Sequence, residues 1–210
     1  MGVPIVKPIV KKNIALRQLT LLGVALTLLP GFVNAEIFEP GNTYIVNTSA
    51  DSTDGACTAS LCSLRDAVNQ ANADTGGDDS PVSDTINFNI PASDPGCSGG
   101  ICTLSLLSVL PATFSELALT IDATSSTQSI VISGSKQGLS ENPTPGMIQN
   151  NGPLTLTALT IENFSCNSNE QGCTFSGISG YYAPLSVFNS TFISNSSVNS
   201  LGGAILMQIF

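Results

Sequence analysis

The sequence predicts an all-β solenoid with one short helix near the start of the mature chain. Several short runs alternate apolar and polar residues, which is the pattern of β-strands. Two of these runs belong to a weak repeat with an offset of 31 residues, from Pro153 to Pro184. Repetition at that period is typical of coils that stack on one another.

The first 35 residues have the features of a secretory signal peptide. Four basic residues precede the apolar run from Leu19 to Leu29, and Ala35 offers a small residue before the cleavage point. The run is short for a transmembrane span, although a retained anchor is the alternative interpretation. We therefore expect an exported protein.

Removal of this leader leaves a strongly acidic chain. Four of the six Lys and Arg residues are lost and all fifteen acidic residues stay, so the formal charge becomes 2 − 15 = −13. Only Arg65 and Lys136 then remain as side-chain cations. Because nucleic-acid binding needs clustered cations, the composition excludes that class of partner.

Six cysteines lie beyond the leader as three close pairs. An even number in an exported chain favours disulfides, although the sequence leaves fifteen connectivities open. A zinc site would need shorter spacing or histidine, and the chain contains no histidine. We predict the three local pairs Cys57–Cys62, Cys97–Cys102 and Cys166–Cys173.

The predicted elements follow in order. A strand over Thr43–Asn47 leads into a polar loop, and SLRDAVNQANA then takes a helical period, with Ser63 at the N-cap and Asp66 three residues later. Strand patterns follow in DTINFNIP, LALTID and SIVIS, without room for crossover helices.

The repeat aligns PLTLTALTIEN with PLSVFNSTFIS and supplies the expected core. We expect stacked aliphatic ladders inside the solenoid, formed by Leu154, Leu156, Ile161, Leu185, Val187 and Phe192. Coincidence between Ser/Thr-rich strands of a β-sandwich is the alternative. The chain ends on the apolar run GGAILMQIF without a polar cap, so we expect a fragment with an incomplete C-terminus.

Three segments follow one another in an order that resembles the CSLREA-type domain: VNTSADSTDGAC, CSLRDAVNQANA and DTINF. Asp66 and Val68 stand where the family has Glu and Ile. The resemblance implies an exported protein that continues into a right-handed parallel β-helix. TFISN (Thr191 to Asn195) and GGAI (Gly202 to Ile205) are similar to the FxxN and GGAI motifs of polymorphic outer membrane protein repeats.

These resemblances complete the predicted architecture. We expect an all-β, right-handed parallel β-helix with a short N-terminal capping helix. Its divisions are a signal peptide over 1–35, a CSLR-type cap module over 36–90 and truncated β-helix coils over 91–210.

Few residues could support catalysis. Lys136 lies in the polar turn SGSKQG, and a Ser or Cys nucleophile has no histidine as a base. Asp78 and Asp79, with Asp74 and Asp84 nearby, could be imagined to bind calcium, but they lack the order of a calcium loop. A solvated acidic loop is the favoured interpretation, so we predict no catalytic residue, cofactor or metal.

Arg65 is interpreted as a structural residue. It lies at the margin of the apolar helix face, where its stem can pack while its head stays polar. We expect the helix to plug the open end of the β-helix, with Arg65 bonding a carboxylate or exposed carbonyls of the first coil. Binding of a substrate by Arg65 is the alternative.

The favoured function is therefore non-enzymatic display. We expect an adhesin-like or structural protein that is secreted or held at the bacterial cell surface or outer membrane, with a glycan or protein as its ligand. Contact with a membrane would come only from the leader or from an anchor beyond Phe210. The alternatives are the N-terminal part of a carbohydrate-active β-helix enzyme and a structural spacer.

Overall fold

The structure of the chain is a computed structural model. In it, parallel strands from distant parts of the chain stack on one another. It describes residues 39–54, 56–74, 82–115, 117–134, 146–167, 177–181, 183–198 and 202–208. The predicted signal peptide lies outside these ranges, and so do Asp78, Asp79, Lys136 and Cys173.

The described residues contain one helix, α1 (Leu64–Ala73), and a series of short strands. In chain order the strands are β1 (Glu39–Val46), β2 (Val82–Phe88), β3 (Cys97–Ser98), β4 (Ile101–Ser105), β5 (Leu117–Asp122), β6 (Ser129–Ser133), β7 (Ile148–Asn150), β8 (Leu154–Thr157), β9 (Leu159–Glu162), β10 (Ser165–Asn167), β11 (Ile178–Tyr181), β12 (Leu185–Phe188), β13 (Thr191–Ile193), β14 (Ser196–Val198) and β15 (Ile205–Gln208).

Strand order identifies the fold as a parallel β-solenoid. One sheet runs β1-β2-β5-β8-β12, a second β13-β9-β6-β4-β3 and a third β15-β11-β7, with β10 beside β14. Every pair is parallel except the β3–β4 hairpin. The path from β2 through β5 and β8 to β12 makes about three turns. The predicted β-helix architecture is confirmed.

The predicted repeat corresponds to one turn of the solenoid. Leu154 is paired with Leu185, and Thr160 with Thr191, in the register that the sequence alignment gave. Corners of the chain repeat as well: Ala158 and its counterpart Asn189 have positive φ angles of 58° and 49°. The left-handed backbone at these positions turns the chain from one sheet into the next.

Aliphatic ladders form the core, as predicted, but their burial depends on the coil. Leu154, Leu156 and Ile161 are no more than 1% exposed. Their partners Leu185, Val187 and Phe192 are only partly buried. Among the described strands, β12 and β13 pair with a coil on one side only, which leaves part of these side chains uncovered.

The helix lies at the other end of the stack. It packs against β1 and β2, and the buried face that the sequence predicted is formed by Leu64, Ala67, Val68 and Ala71. β2 in turn pairs with β5, so one continuous sheet joins the predicted cap module to the predicted coils. The cap and the first coil therefore share a core.

Candidate functional site at the N-terminal cap

The start of α1 is held by a buried polar cluster. Ser63 is the N-cap residue, and its Oγ accepts a hydrogen bond of 3.1 Å from the Asp66 amide. The Asp66 carboxylate in turn accepts from the Ser63 hydroxyl at 2.7 Å and from the Ser52 hydroxyl at 3.4 Å. Ser63 and Asp66 are both 0% exposed. A carboxylate in the first turn also suits the helix dipole.

Arg65 lies in the same first turn and binds both a carboxylate and backbone carbonyls, the two kinds of acceptor that we expect for it from the sequence. Its Nε and Nη2 donate to the two carboxylate oxygens of Asp51 at 2.7 and 2.8 Å. Its Nη1 and Nη2 donate to the carbonyls of Val109 and Ser108 at 2.7 and 2.8 Å. Arg65 is 7% exposed. This paired geometry matches the planar guanidinium, which makes the contact specific for arginine.

The helix supplies donors where a preceding coil would otherwise be needed. Amides of the segment around residue 110 donate to the following coil, for example from Leu110 to Met147 at 2.8 Å. Carbonyls of the same segment accept from helix side chains: Ser108 and Val109 from Arg65, and Ala112 from Asn72 at 2.8 Å. Side chains thus satisfy backbone acceptors at the end of the solenoid.

The sequence does not indicate that Asp51 is the partner of Arg65. Its Oδ2 also accepts from the Leu107 amide at 2.7 Å, so one carboxylate connects the loop before α1 to both the helix and the first coil. The sequence offers a lone arginine among many acidic residues, and spacing alone does not select which of them it meets. Only the path of the chain brings Asp51 to Arg65.

Two of the three predicted cysteine pairs are disulfides in the structure: Cys57–Cys62 and Cys97–Cys102. The first closes a loop that Asn47 also holds, since its Nδ2 donates to the carbonyl of Thr58 and its Oδ1 accepts from the Cys62 amide. The second joins β3 to β4. The pair Cys166–Cys173 stays a prediction, because Cys173 lies outside the described residues.

A groove of about 510 Å³ lies beside the cap. Its polar lining comes from Thr48, Ser49, Asp51, Asp94, Thr103 and Ser105. Burial alone would raise the pKa of Asp94, but hydrogen bonds from Ser49, Gly96 and Thr48 outweigh it, and the pKa is lowered. The carboxylates of Asp51 and Asp94 are thus engaged by the protein itself.

A second acidic pair, Asp74 and Asp84, lies where α1 ends and β2 begins. Asn42 connects the two: its amide donates to Asp84 Oδ1 at 2.6 Å, and its side-chain Nδ2 donates to Asp74. Burial, more than the charge of Asp74, raises the pKa of Asp84 to about 6. The pKa of Tyr44 is also raised, by burial and then by Asp84 and Asp74. No group of three or more acidic or cysteine side chains is arranged for a metal ion within the described ranges.

Residues of the second predicted motif stack one coil on the next. Asn195, the last residue of TFISN, donates from Nδ2 to the Ile161 carbonyl at 2.9 Å and accepts at Oδ1 from the Phe164 amide at 3.1 Å. GGAI leads into β15, which pairs with β11. The sequence alone indicates no physical role for these residues, because their partners lie about one turn earlier in the chain.

Comparison with protein-family models, curated proteins and solved structures finds no match. In the part of the chain that is described, no helix has the length and apolar character needed to span a membrane. The physical interpretation of the chain therefore depends on its own contacts.

Proposed function

We propose that this chain is an exported, non-enzymatic β-helix protein that presents its surface to a glycan or protein partner. In this proposal residues 1–35 direct export and are removed. The product is secreted or held at the bacterial cell surface or outer membrane. Its CSLR segment is a CSLREA-type cap.

The observation that carries the proposal is the position of CSLRDAV at the end of a parallel solenoid. Arg65 donates four hydrogen bonds, two to Asp51 and two to carbonyls of the first coil, so its charge and most of its donors serve the cap. Ser63 and Asp66 are likewise used in starting the helix. A module whose polar residues close one end of a β-helix suits a long displayed solenoid.

The contacts of TFISN support the second resemblance. Asn195 connects successive backbones in the manner expected of a residue that recurs once per coil. Repeats of the polymorphic outer membrane protein type would use such a residue in each turn. The partner surface would then be the flat sheets of the solenoid together with the groove beside the cap.

The groove favours a neutral or hydroxyl-rich ligand. Its hydroxyls come from Thr48, Ser49, Thr103 and Ser105, and its two carboxylates already accept hydrogen bonds from the protein. A strongly anionic ligand would meet repulsion from an acidic chain. Neutral glycans offer matching donors and acceptors without that penalty.

Export can be tested by protease treatment and antibody labelling of intact cells that express the chain. We expect cleavage of the leader and exposure of residues 36–210 at the surface or in the medium. A matched control, Leu22→Arg, interrupts the apolar run and should retain the protein inside the cell. Retention of the uncleaved wild-type chain in the cytoplasm would refute the proposal.

Ligand binding can be tested on an array of neutral and acidic glycans, alongside an assay of uronate-polymer cleavage. We expect preference for neutral glycans or a protein partner and no cleavage. Thr103→Arg, which fills the groove with a charged side chain, should reduce glycan binding there. Cleavage by the chain would instead favour the carbohydrate-active enzyme.

A further inference from the structure

Asp74 and Asp84 bring two carboxylates together from separate elements. Asp74 is the C-cap residue of α1, and Asp84 faces inward from β2. Asn42 of β1 bonds both, so three elements of the cap converge at this point. The pair goes beyond the proposed display function, which makes no use of it.

Asp84 is an unusual residue for the inside of a strand. The whole residue is 0% exposed, and its Oδ2 has no hydrogen-bond partner among the described residues. Buried carboxylate oxygens are normally paired or bound to a cation, because burial removes their hydration. One face of this carboxylate is therefore available to a ligand.

The surroundings are negative. Asp74 lies beside Asp84 and at the C-terminal end of α1, where the helix dipole is also negative, and the last turn contains no basic residue. Arg65 is the only Lys or Arg in the described ranges, and it is bound to Asp51. No described side chain therefore supplies the compensating positive charge.

The backbone is shaped around this carboxylate. A Cβ placed on Gly41 would collide with Asp84 Oδ1 and Cγ, so glycine is needed for β1 to approach so closely. The register between β1 and β2 shifts at this point, between Pro40 and Thr43. This irregularity directs the Asn42 amide at the carboxylate instead of into a regular ladder.

We propose that Asp84, through its unpartnered Oδ2, and the Asp74 carboxylate together bind a hard divalent cation of the Ca²⁺ type. Water would complete the coordination, since Ca²⁺ takes six to eight oxygen ligands. With two protein carboxylates, the dissociation constant should lie in the range of about 0.1–1 mM that extracellular modules use. The bound ion would fasten the end of α1 to β2.

The test is thermal unfolding of the 210-residue chain, first stripped with a chelator and then titrated with CaCl₂. We expect the Tm to rise and to approach saturation above about 1 mM. Mg²⁺ should act more weakly, because it gives up its water reluctantly. Asp84→Asn and Asp74→Asn should each abolish most of the response, whereas the exposed Asp54→Asn should keep it.

Terbium luminescence gives a readout that does not depend on unfolding. Tyr44 lies beside the two carboxylates, so its excitation should sensitise bound Tb³⁺, and Ca²⁺ should displace the emission. Tyr44→Phe should lower the emission while the Ca²⁺ effect on Tm remains. Asp84→Asn should remove both signals.

The proposal is overturned if the Tm of the wild-type protein does not respond to Ca²⁺ and the Asp84→Asn variant has a higher Tm than the wild type. That result would mean that the two carboxylates share a proton instead of a cation. It is also overturned if Asp54→Asn removes the response as fully as Asp84→Asn, because the effect would then be general screening of an acidic chain.

Discussion

Arg65 and Asp51 form a two-bonded ion pair, with Nε–Oδ1 and Nη2–Oδ2 distances of 2.7 and 2.8 Å. The two side chains are 8% and 3% exposed, so the pair is nearly excluded from water. Both partners also bond the first coil, Arg65 through the carbonyls of Ser108 and Val109, and Asp51 through the Leu107 amide. The pair therefore joins the helix to the solenoid.

Replacement of Arg65 should destabilise the protein. Arg65→Ala leaves the Asp51 charge and two carbonyls buried without their donor, at a cost of about 3–5 kcal/mol. For a chain of this size the Tm should fall by roughly 6 °C or more, as measured by circular dichroism.

Arg65→Lys is the informative comparison, since it keeps the charge but not the paired geometry, and it should recover only part of the loss. Unchanged melting of Arg65→Ala combined with lost ligand binding would contradict the structural role.

The Ser63 N-cap should contribute less to the free energy of unfolding than Arg65 does. Ser63→Ala removes the acceptor of the Asp66 amide and should lower the unfolding free energy by about 1 kcal/mol. Chemical denaturation measures this change, and the exposed Ser60→Ala is the matched control. A Ser63→Ala protein as stable as the control would show that the N-cap hydrogen bond of Ser63 does not stabilise the fold.

Stability should depend on pH through Asp84. Its pKa is about 6 in the folded chain and 3.8 when unperturbed, so the folded state holds the proton more tightly. In the absence of divalent ions, stability should therefore fall as the pH rises from about 4 to about 6.5. Thermal unfolding across this range measures the effect.

The same pH range separates the effect of Asp84 on stability from that of Asp94. The lowered pKa of Asp94 acts only below its ordinary value of 3.8, where stability is lost as the pH falls. Asp74 and Tyr44 are the titratable groups that face Asp84. Asp84→Asn should flatten the profile between about pH 4 and 6.5, and an unchanged slope in this variant would assign the effect to another group.

Asn195 should stabilise the stacking of coils. Asn195→Ala removes two hydrogen bonds to the preceding coil and should cost about 1–3 kcal/mol. Asn195→Asp keeps the acceptor for the Phe164 amide but loses the donor to the Ile161 carbonyl. Because its negative charge would also repel that carbonyl oxygen, this variant should not recover the stability of the wild type. Hydrogen exchange at the Phe164 amide should increase in the alanine variant, and unchanged protection there would contradict the contact.

Mass mapping of the unreduced protein should identify the local disulfides. We expect linked peptides for Cys57–Cys62 and Cys97–Cys102, and the same experiment tests the predicted pair Cys166–Cys173. A Cys97→Ser/Cys102→Ser variant should lose roughly 2 kcal/mol, since a short loop is closed. Peptides linked between different pairs would refute the local connectivity.

Local sequence patterns were sufficient to predict several strands, the helix and the register of the repeat. The period of two placed β2, β5 and β6, the helical period placed α1, and the offset between Pro153 and Pro184 gave the register of β8 with β12. These features depend on residues close in sequence or on a repeated core, both of which leave a direct record in the chain.

Contacts between distant segments were decided only by the tertiary structure. Asp51 is one of fifteen acidic residues, and nothing local distinguishes it as the partner of Arg65. The sequence likewise shows Asp74 and Asp84 only as residues near an acidic loop, whereas the fold buries Asp84 and brings Asn42 between them. Periodicity determines which face of an element is apolar, but charges and hydrogen bonds meet according to how the chain turns between elements.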